Sequence, residues 1–313
     1  MIRIVHYLLF TTFSVMSATM PATYAQSGDP SWRQKLGTFR IGIVAAGRPV
    51  LETRRVQPFR EALQGVLGMP VEVFAAPDYN TLIKAHRGSR IEYAVYSASA
   101  FSAAWLLCRC VTPLAAPVAS DGSAGFRSVL IARKSVTRSL GGLRDATILV
   151  PGTDSFSGSV FPRDQLAREG IDMDTRGWTL RDMETMDAAI AAFTAGDGDA
   201  ILGWQNEDAP TPGGRPGSHD TLDRLGDIGD DIGVVWQSPP VPYGPHAIRS
   251  SVSEEAKALI QPFLTGLAQE NPAAYEAIET RHAGGFQPVS FEDYRPVVDA
   301  LRKTLLFAAP ASE

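Results

Sequence analysis

A two-lobed α/β fold follows from three features of this 313-residue sequence. Short β-branched runs alternate with amphipathic helical stretches, the alternation restarts near residue 143, and an extended segment at 126–133 (FRSVLIAR) lies between the two units. Alternation of this size implies mixed or largely parallel sheets covered by helices on both faces. At roughly 150 residues per domain, the length also suits two lobes.

The first 25 residues stand apart from that fold. Arg3 and the free amine give a positive start, 7–16 is a short apolar run, and Thr23-Tyr24-Ala25 places small residues before Gln26. These are the marks of a secretory signal peptide cut after Ala25, which implies export to a periplasm. The apolar run is too short to span a bilayer, and no 18-residue apolar run follows it.

The first unit opens with a strand at 39–44 (FRIGIV), closed by Ala45-Ala46-Gly47. Residues 56–67 carry Val56, Phe59, Leu63, Val66 and Leu67 at the three- and four-residue steps of an amphipathic helix. Gly68-Met69-Pro70 stops it before a strand at 71–74, and a helix at 79–87 and a strand at 91–96 follow. A helix at 97–107 then starts on Ser97. In the second unit the pattern predicts strands at 146–150 and 199–203 and helices at 158–169 and 186–194. Three Gly and three Pro make 210–219 a loop, a strand at 234–237 precedes a Pro-rich turn at 238–245, and helices return at 253–269 and 294–306. Lobe 1 is therefore expected over 26–125, with 240–313 returning to it, and lobe 2 with the crossing strands over 126–239. Two α/β lobes joined by crossing strands form a hinge that closes around a ligand.

Composition narrows the function. There are 29 Lys and Arg against 34 Asp and Glu, a net charge of −5, and removing Arg3 with the leader makes it about −6. An acidic chain without a basic run is not a nucleic-acid binder, whose affinity comes from neutralising phosphates. His86, His219, His246 and His282 are scattered without zinc spacing, and the acidic run at 227–231 (DIGDD) reads as a solvated turn. Ser157 lies in S-F-S-G-S rather than G-x-S-x-G, and no His/Asp partner is assignable, so an enzyme is not expected. No motif calls for a cofactor; neither helix start below has the G-x-x-x-x-G-K-[ST] of a phosphate loop.

The sharpest local feature is the stretch 151–159 (PGTDSFSGS) between a strand and a helix. Small hydroxyl residues and Gly there present unpaired N–H groups and the positive end of a helix dipole, which suits a small oxyanion or oxyacid. Plain N-capping by Ser155 or Ser157 is the bland alternative. Tyr96-Ser97-Ala98-Ser99 repeats the arrangement in the first unit, and two such starts in two lobes are expected to face each other across a cleft.

The two cysteines, Cys108 and Cys110, are spaced C-x-C. In an exported protein a disulfide is the usual outcome, although closing so short a loop is awkward. Free thiols suited to a thiophilic metalloid and a pair of small buried apolar residues are the other readings. A helix over 97–107 is about 16 Å long, so whether the cysteines reach the Tyr96–Ser97 mouth stays open.

Several of these stretches together resemble the phosphate/phosphite/phosphonate-type periplasmic substrate-binding family. They are 40–44 with Gln57-Pro58-Phe59, 91–101, 125–131 (GFRSVLI), 154–162 (DSFSGSVFP), 239–245 (PPVPYGP) and 293–297 (DYRPV). The resemblance covers nearly the whole mature chain and implies a type II periplasmic binding protein fold with ligand in the cleft. It implies that Tyr96 and Ser97 line the first wall and that Ser155, Ser157, Gly158 and Ser159 form the second, with Trp204, Gln205 and Asn206 nearby. Where members binding aminoalkyl phosphonates place an acid, Asp199-Ala200 leads instead to Trp204. The C-x-C pair resembles a branch of the family that binds arsenite and reports it to a membrane sensor histidine kinase controlling arsenite oxidation. That resemblance implies Cys108 as the primary arsenic ligand and Cys110 as a second, whereas the transport-type pattern implies phosphate, phosphite or phosphonate delivered to an ABC permease.

Overall fold

The computed structural model describes residues 31–152, 155–207 and 220–308. The signal peptide expected at 1–25 and the loop expected at 210–219 lie outside the described residues.

The chain first lays down α1 (Trp32–Leu36), β1 (Phe39–Val44), α2 (Pro49–Arg55), α3 (Gln57–Leu67), β2 (Val71–Ala76), α4 (Tyr79–Arg87), β3 (Tyr93–Val95), α5 (Ala98–Cys108) and β4 (Val111–Pro117). It crosses to β5 (Gly125–Arg133), β6 (Thr147–Pro151), α6 (Phe161–Arg168), β7 (Thr179–Met183), α7 (Met186–Ala195), β8 (Ala200–Asn206), α8 (Thr221–Arg224), β9 (Ile232–Gln237) and β10 (Val241–Pro242). It returns through β11 (His246–Arg249), α9 (Glu254–Glu270), α10 (Pro272–Ile278), β12 (Phe286–Pro288) and α11 (Phe291–Ala308).

Two six-stranded sheets result, ordered β12-β4-β11-β3-β1-β2 and β10-β5-β8-β6-β7, with β9 paired to β5. Each is mixed. β1 runs parallel to β2 and β3, while the returning β11 inserts antiparallel between β3 and β4. In the second sheet β6 runs parallel to β7 and β8, and β5 runs antiparallel to β8 and β9. This is the two-lobed α/β fold expected from the sequence. The chain crosses between sheets twice, at 118–124 and 243–245, and the crossings are tied by the Tyr243 N–H donating to the Ala124 carbonyl at 3.3 Å.

Burial follows the strand period. Phe39, Ile41 and Ile43 of β1 project to one face of the first sheet, where Phe59 and Leu63 of α3 and Leu264 of α9 cover them. The other face takes Leu82, Ile91, Phe101 and Tyr294. The second sheet is covered likewise, by Leu166 and Trp178 on one side and Ala189 and Phe193 on the other. Stripes that alternate along strands and recur every third or fourth residue along helices can only be buried in such layers.

The second-lobe helix departs from the expected span of 158–169. Residues Phe156–Val160 form a π turn that runs into α6, with the Val160 N–H reaching the Ser155 carbonyl at 3.1 Å. Pro162 supplies the reason: it has no N–H with which to close an α-helical turn on Gly158.

Candidate functional site

Between the sheets lies a cleft of about 920 Å³. Its walls are the carboxyl ends of strands from both lobes: Val44 at the end of β1 and Tyr96 after β3 on one side, Ser157 after β6 and Trp204 of β8 on the other. Ligands of open α/β sheets bind at such strand ends, where the chain turns into helix. The crossings form the floor, through Ser120, Asp121, Tyr243 and Gly244.

The first-lobe mouth is built around Ser97. Its hydroxyl caps α5 by accepting the Ala100 N–H at 3.1 Å, and it lies 3.2 Å from the Ser99 hydroxyl. The first amide groups of α5 have no intrahelical carbonyl, and the helix dipole adds to their positive potential. Tyr96 is held from behind. The His86 Nε2–H donates to the Glu92 carbonyl at 3.3 Å, leaving Nδ1 to accept the Tyr96 hydroxyl at 3.0 Å. Burial lowers the His86 pKa to about 4, keeping it a neutral acceptor. Burial also pushes the Tyr96 phenol well above its usual range.

Gly244 lets the return crossing pass beneath this mouth. A Cβ there would stand 1.9 Å from the Tyr96 carbonyl oxygen and 2.6 Å from the Ser97 Cα. The close approach is sealed by the Tyr96 N–H donating to the Pro245 carbonyl at 3.0 Å.

On the second wall, Ser155 caps the π turn by accepting the Gly158 N–H at 3.2 Å. Gly158 is buried, and a side chain there would meet the Pro151 ring at 2.7 Å. The Ser128 hydroxyl donates to the Ser157 carbonyl at 2.7 Å and fixes the turn to β5. Ser157 faces the cleft, whereas Ser159 lines a separate groove beside α6 and α11. Trp204 stands edge-on to Phe126, ring centroids 6.4 Å apart, and its backbone N–H donates to the Thr221 hydroxyl at 3.0 Å.

Of the residues singled out from sequence, the structure thus brings Tyr96, Ser97, Ser157 and Trp204 together around the cleft, with Ser155 and Gly158 supporting Ser157. Cys108 and Cys110 are elsewhere. They close a disulfide with each other where α5 ends, on the far side of eleven helical residues from Ser97, and neither lines the cleft. Among the readings left open by the C-x-C spacing, the bonded pair is the one present, and the helix length accounts for the separation.

The cleft also holds residues for which no role in the site was legible in the sequence. Tyr79 lies 6.5 Å from the Tyr96 ring, and the Tyr243 hydroxyl bridges the lobes by donating to Asn206 Oδ1 at 2.7 Å. Burial raises the Tyr243 phenol to about 12. Glu279 is largely enclosed. Burial pushes its pKa up, but hydrogen bonds from the His282 ring and the Arg281 and His282 amides hold it below the usual carboxylate value. Among the described residues no three His, Cys, Asp or Glu side chains cluster as a metal site, and no helix is long and apolar enough to cross a membrane.

Residues 41–294 match the family model described as "ABC transporter, phosphonate, periplasmic substrate-binding protein". The chain belongs to this family. Its members bind substrates for transporters and are not enzymes. The chain is similar to the phosphonates-binding periplasmic protein of Escherichia coli K12, at 26% identity over 290 residues covering 88% of this chain and 78% of the relative. Solved structures agree on the fold. XAC2383 from Xanthomonas citri, bound to ATP, superposes with a TM-score of 0.62 at 18% identity, covering 87% of this chain and all of that one. PhnD1 from Prochlorococcus marinus MIT 9301, in complex with methylphosphonate, gives 0.55 at 15% identity, covering 86% and 98%.

Proposed function

We propose that this chain is exported to the periplasm and presents a small phosphorus oxyanion (phosphate, phosphite or a phosphonate) to the permease of an ABC importer. One observation carries the reading: two capped helix starts, at Ser97 and at Ser155–Ser157, open into a single cleft at the carboxyl ends of strands from two lobes. Unpaired amides and small hydroxyls on opposed walls satisfy the oxygens of a tetrahedral anion from both sides, so ligand favours the closed arrangement of the lobes. The relatives' phosphonate ligands point the same way.

A second reading, a receptor for arsenite that signals to the periplasmic domain of a sensor histidine kinase, rests on the adjacent sulfurs of Cys108 and Cys110. They terminate the same helix that begins at the ligand mouth, so a trivalent arsenic held there would act on α5. This reading requires the disulfide to be reduced first, since thiolates are the ligands.

Calorimetric titration of oxidised and reduced protein with phosphate, phosphite, methylphosphonate and arsenite, in a phosphate-free buffer, separates the two. The importer reading expects oxyanion binding that is unchanged by reduction and by Cys108→Ser. Arsenite binding that appears only after reduction and vanishes in Cys108→Ser, with no binding of the phosphorus anions, overturns it.

A further inference from the structure

The charges around the cleft are unevenly committed. Three cationic or potentially cationic side chains line it: Arg55, Arg281 and His282. Arg55 is held by Glu52 at 2.8 Å and by the Ala277 carbonyl, and His282 Nδ1 lies 3.2 Å from Glu279. Arg281 is the one lining cation, among the described residues, whose side chain makes no hydrogen bond or ion pair.

Its backbone, by contrast, is fixed. The N–H groups of Arg281 and His282 both donate to Glu279 Oε1, at 2.7 and 3.0 Å. The Tyr275 hydroxyl donates to the His282 carbonyl at 2.5 Å, and the Gly284 N–H donates to the Val118 carbonyl at 2.8 Å. A free, exposed guanidinium thus projects from a pinned loop on the first-lobe side, in a cleft whose other wall carries Ser157 and Trp204.

The wall chemistry leaves a charge unmet. A helix start contributes about half an elementary charge. Asp121 and Glu279 line the same cleft, and each already spends one oxygen, Oδ1 or Oε1, on local donors. Two helix starts facing two carboxylates do not neutralise a doubly charged ligand; a full positive charge is needed, and a guanidinium offers two parallel N–H groups to a tetrahedral oxyanion.

We propose that Arg281 is the charge-selecting residue of the cleft, closing on the bound oxyanion and favouring doubly charged phosphonate-type ligands over singly charged sulfonate-type ones. This deepens the oxyanion reading and rests on it.

The test is calorimetry on the full chain with methylphosphonate and its near-isostere methanesulfonate, at a pH above the second ionisation of methylphosphonate. Wild type, Arg281→Ala and Arg281→Lys are compared, with thermal melts to confirm folding. Wild type is expected to prefer methylphosphonate. Arg281→Ala is expected to weaken methylphosphonate about tenfold or more while changing methanesulfonate by less than about threefold, and Arg281→Lys to recover part of the loss. Equal losses for both ligands would make Arg281 a latch between lobes, and no loss for either would make it a bystander; each overturns the inference while the oxyanion reading stands. Wild-type protein that binds neither ligand overturns the inference, and the oxyanion reading falls with it if phosphate and phosphite are not bound either.

Discussion

Replacing Gly244 by Ala tests how the ligand mouth is built. The added methyl carbon would lie 1.9 Å from the Tyr96 carbonyl oxygen and 2.6 Å from the Ser97 Cα. Both neighbours are backbone, so no side-chain rotation relieves the overlap, and the crossing must withdraw by more than about 1 Å to reach ordinary contact. Withdrawal stretches the hydrogen bond from the Tyr96 N–H to the Pro245 carbonyl, now 3.0 Å, and tilts the first turn of α5. Overpacking of this kind costs about 1–3 kcal/mol, and the strained hydrogen bond adds about 1 kcal/mol. Gly65 supplies a matched control. It sits in the last turn of α3 with nothing within 4 Å of a built Cβ, so Gly65→Ala is expected to stabilise by up to about 0.5 kcal/mol. Urea unfolding reads both variants, and methylphosphonate titration reads the mouth. Two Ala variants of equal stability, or Gly244→Ala with undiminished ligand affinity, would refute the packing argument.

Three further outcomes follow. His86 and His246 are buried and, chiefly through that burial, held near pKa 4 against 6.5 when unfolded, so the unfolded chain binds more protons between those values. Stability in urea is then full above about pH 6.5 and declines as pH falls toward 4, by up to about 3 kcal/mol per histidine; a flat profile over that window contradicts it. Asp164 is buried, which alone would raise its pKa, but the hydrogen bonds from Lys303 at 2.6 Å and Arg168 at 2.8 Å outweigh burial and lower it. Lys303→Ala removes one partner of that buried carboxylate and the tie between α6 and α11, and is expected to cost about 1–2 kcal/mol in denaturant unfolding. Ser128→Ala releases the Ser157 carbonyl and is expected to lower stability by about 1 kcal/mol and to weaken methylphosphonate binding in calorimetry, whereas an unchanged affinity would detach Ser157 from the ligand.

The fold was legible wherever a period of two or of three to four residues ran long enough. The helix read at 79–87 is α4, and the strand read at 39–44 is β1. Elements without such a stripe escaped. Helix α2 buries no side chain fully and leaves Val50 and Leu51 facing solvent, so its apolar residues mark no hidden face. Strand β7 is an edge strand reading Thr-Leu-Arg-Asp-Met, whose polar residues disguise it. The site divides along the same line. Helix starts announce themselves by local chemistry, and both runs of small hydroxyl residues open on the cleft. Tyr79, Asp121, Tyr243 and Arg281 come from four separate segments that only the fold brings together. Tyr243 falls in the stretch 239–245 that carries the family resemblance, but a single Arg, Asp or Tyr shows no role in the sequence. Gly244 gave no sign of the backbone it must pass. The cysteine pair was conspicuous in sequence, yet α5 carries it away from the mouth that the same helix begins.

A crystal structure of the protein grown with methylphosphonate tests the central claim most directly. The account predicts one phosphonate between the lobes, its oxygens on the first amides of α5 and on the Ser157 turn, with Tyr96 and Trp204 against it. Phosphonate bound outside this cleft, or a cleft left empty at saturating ligand, would contradict the account.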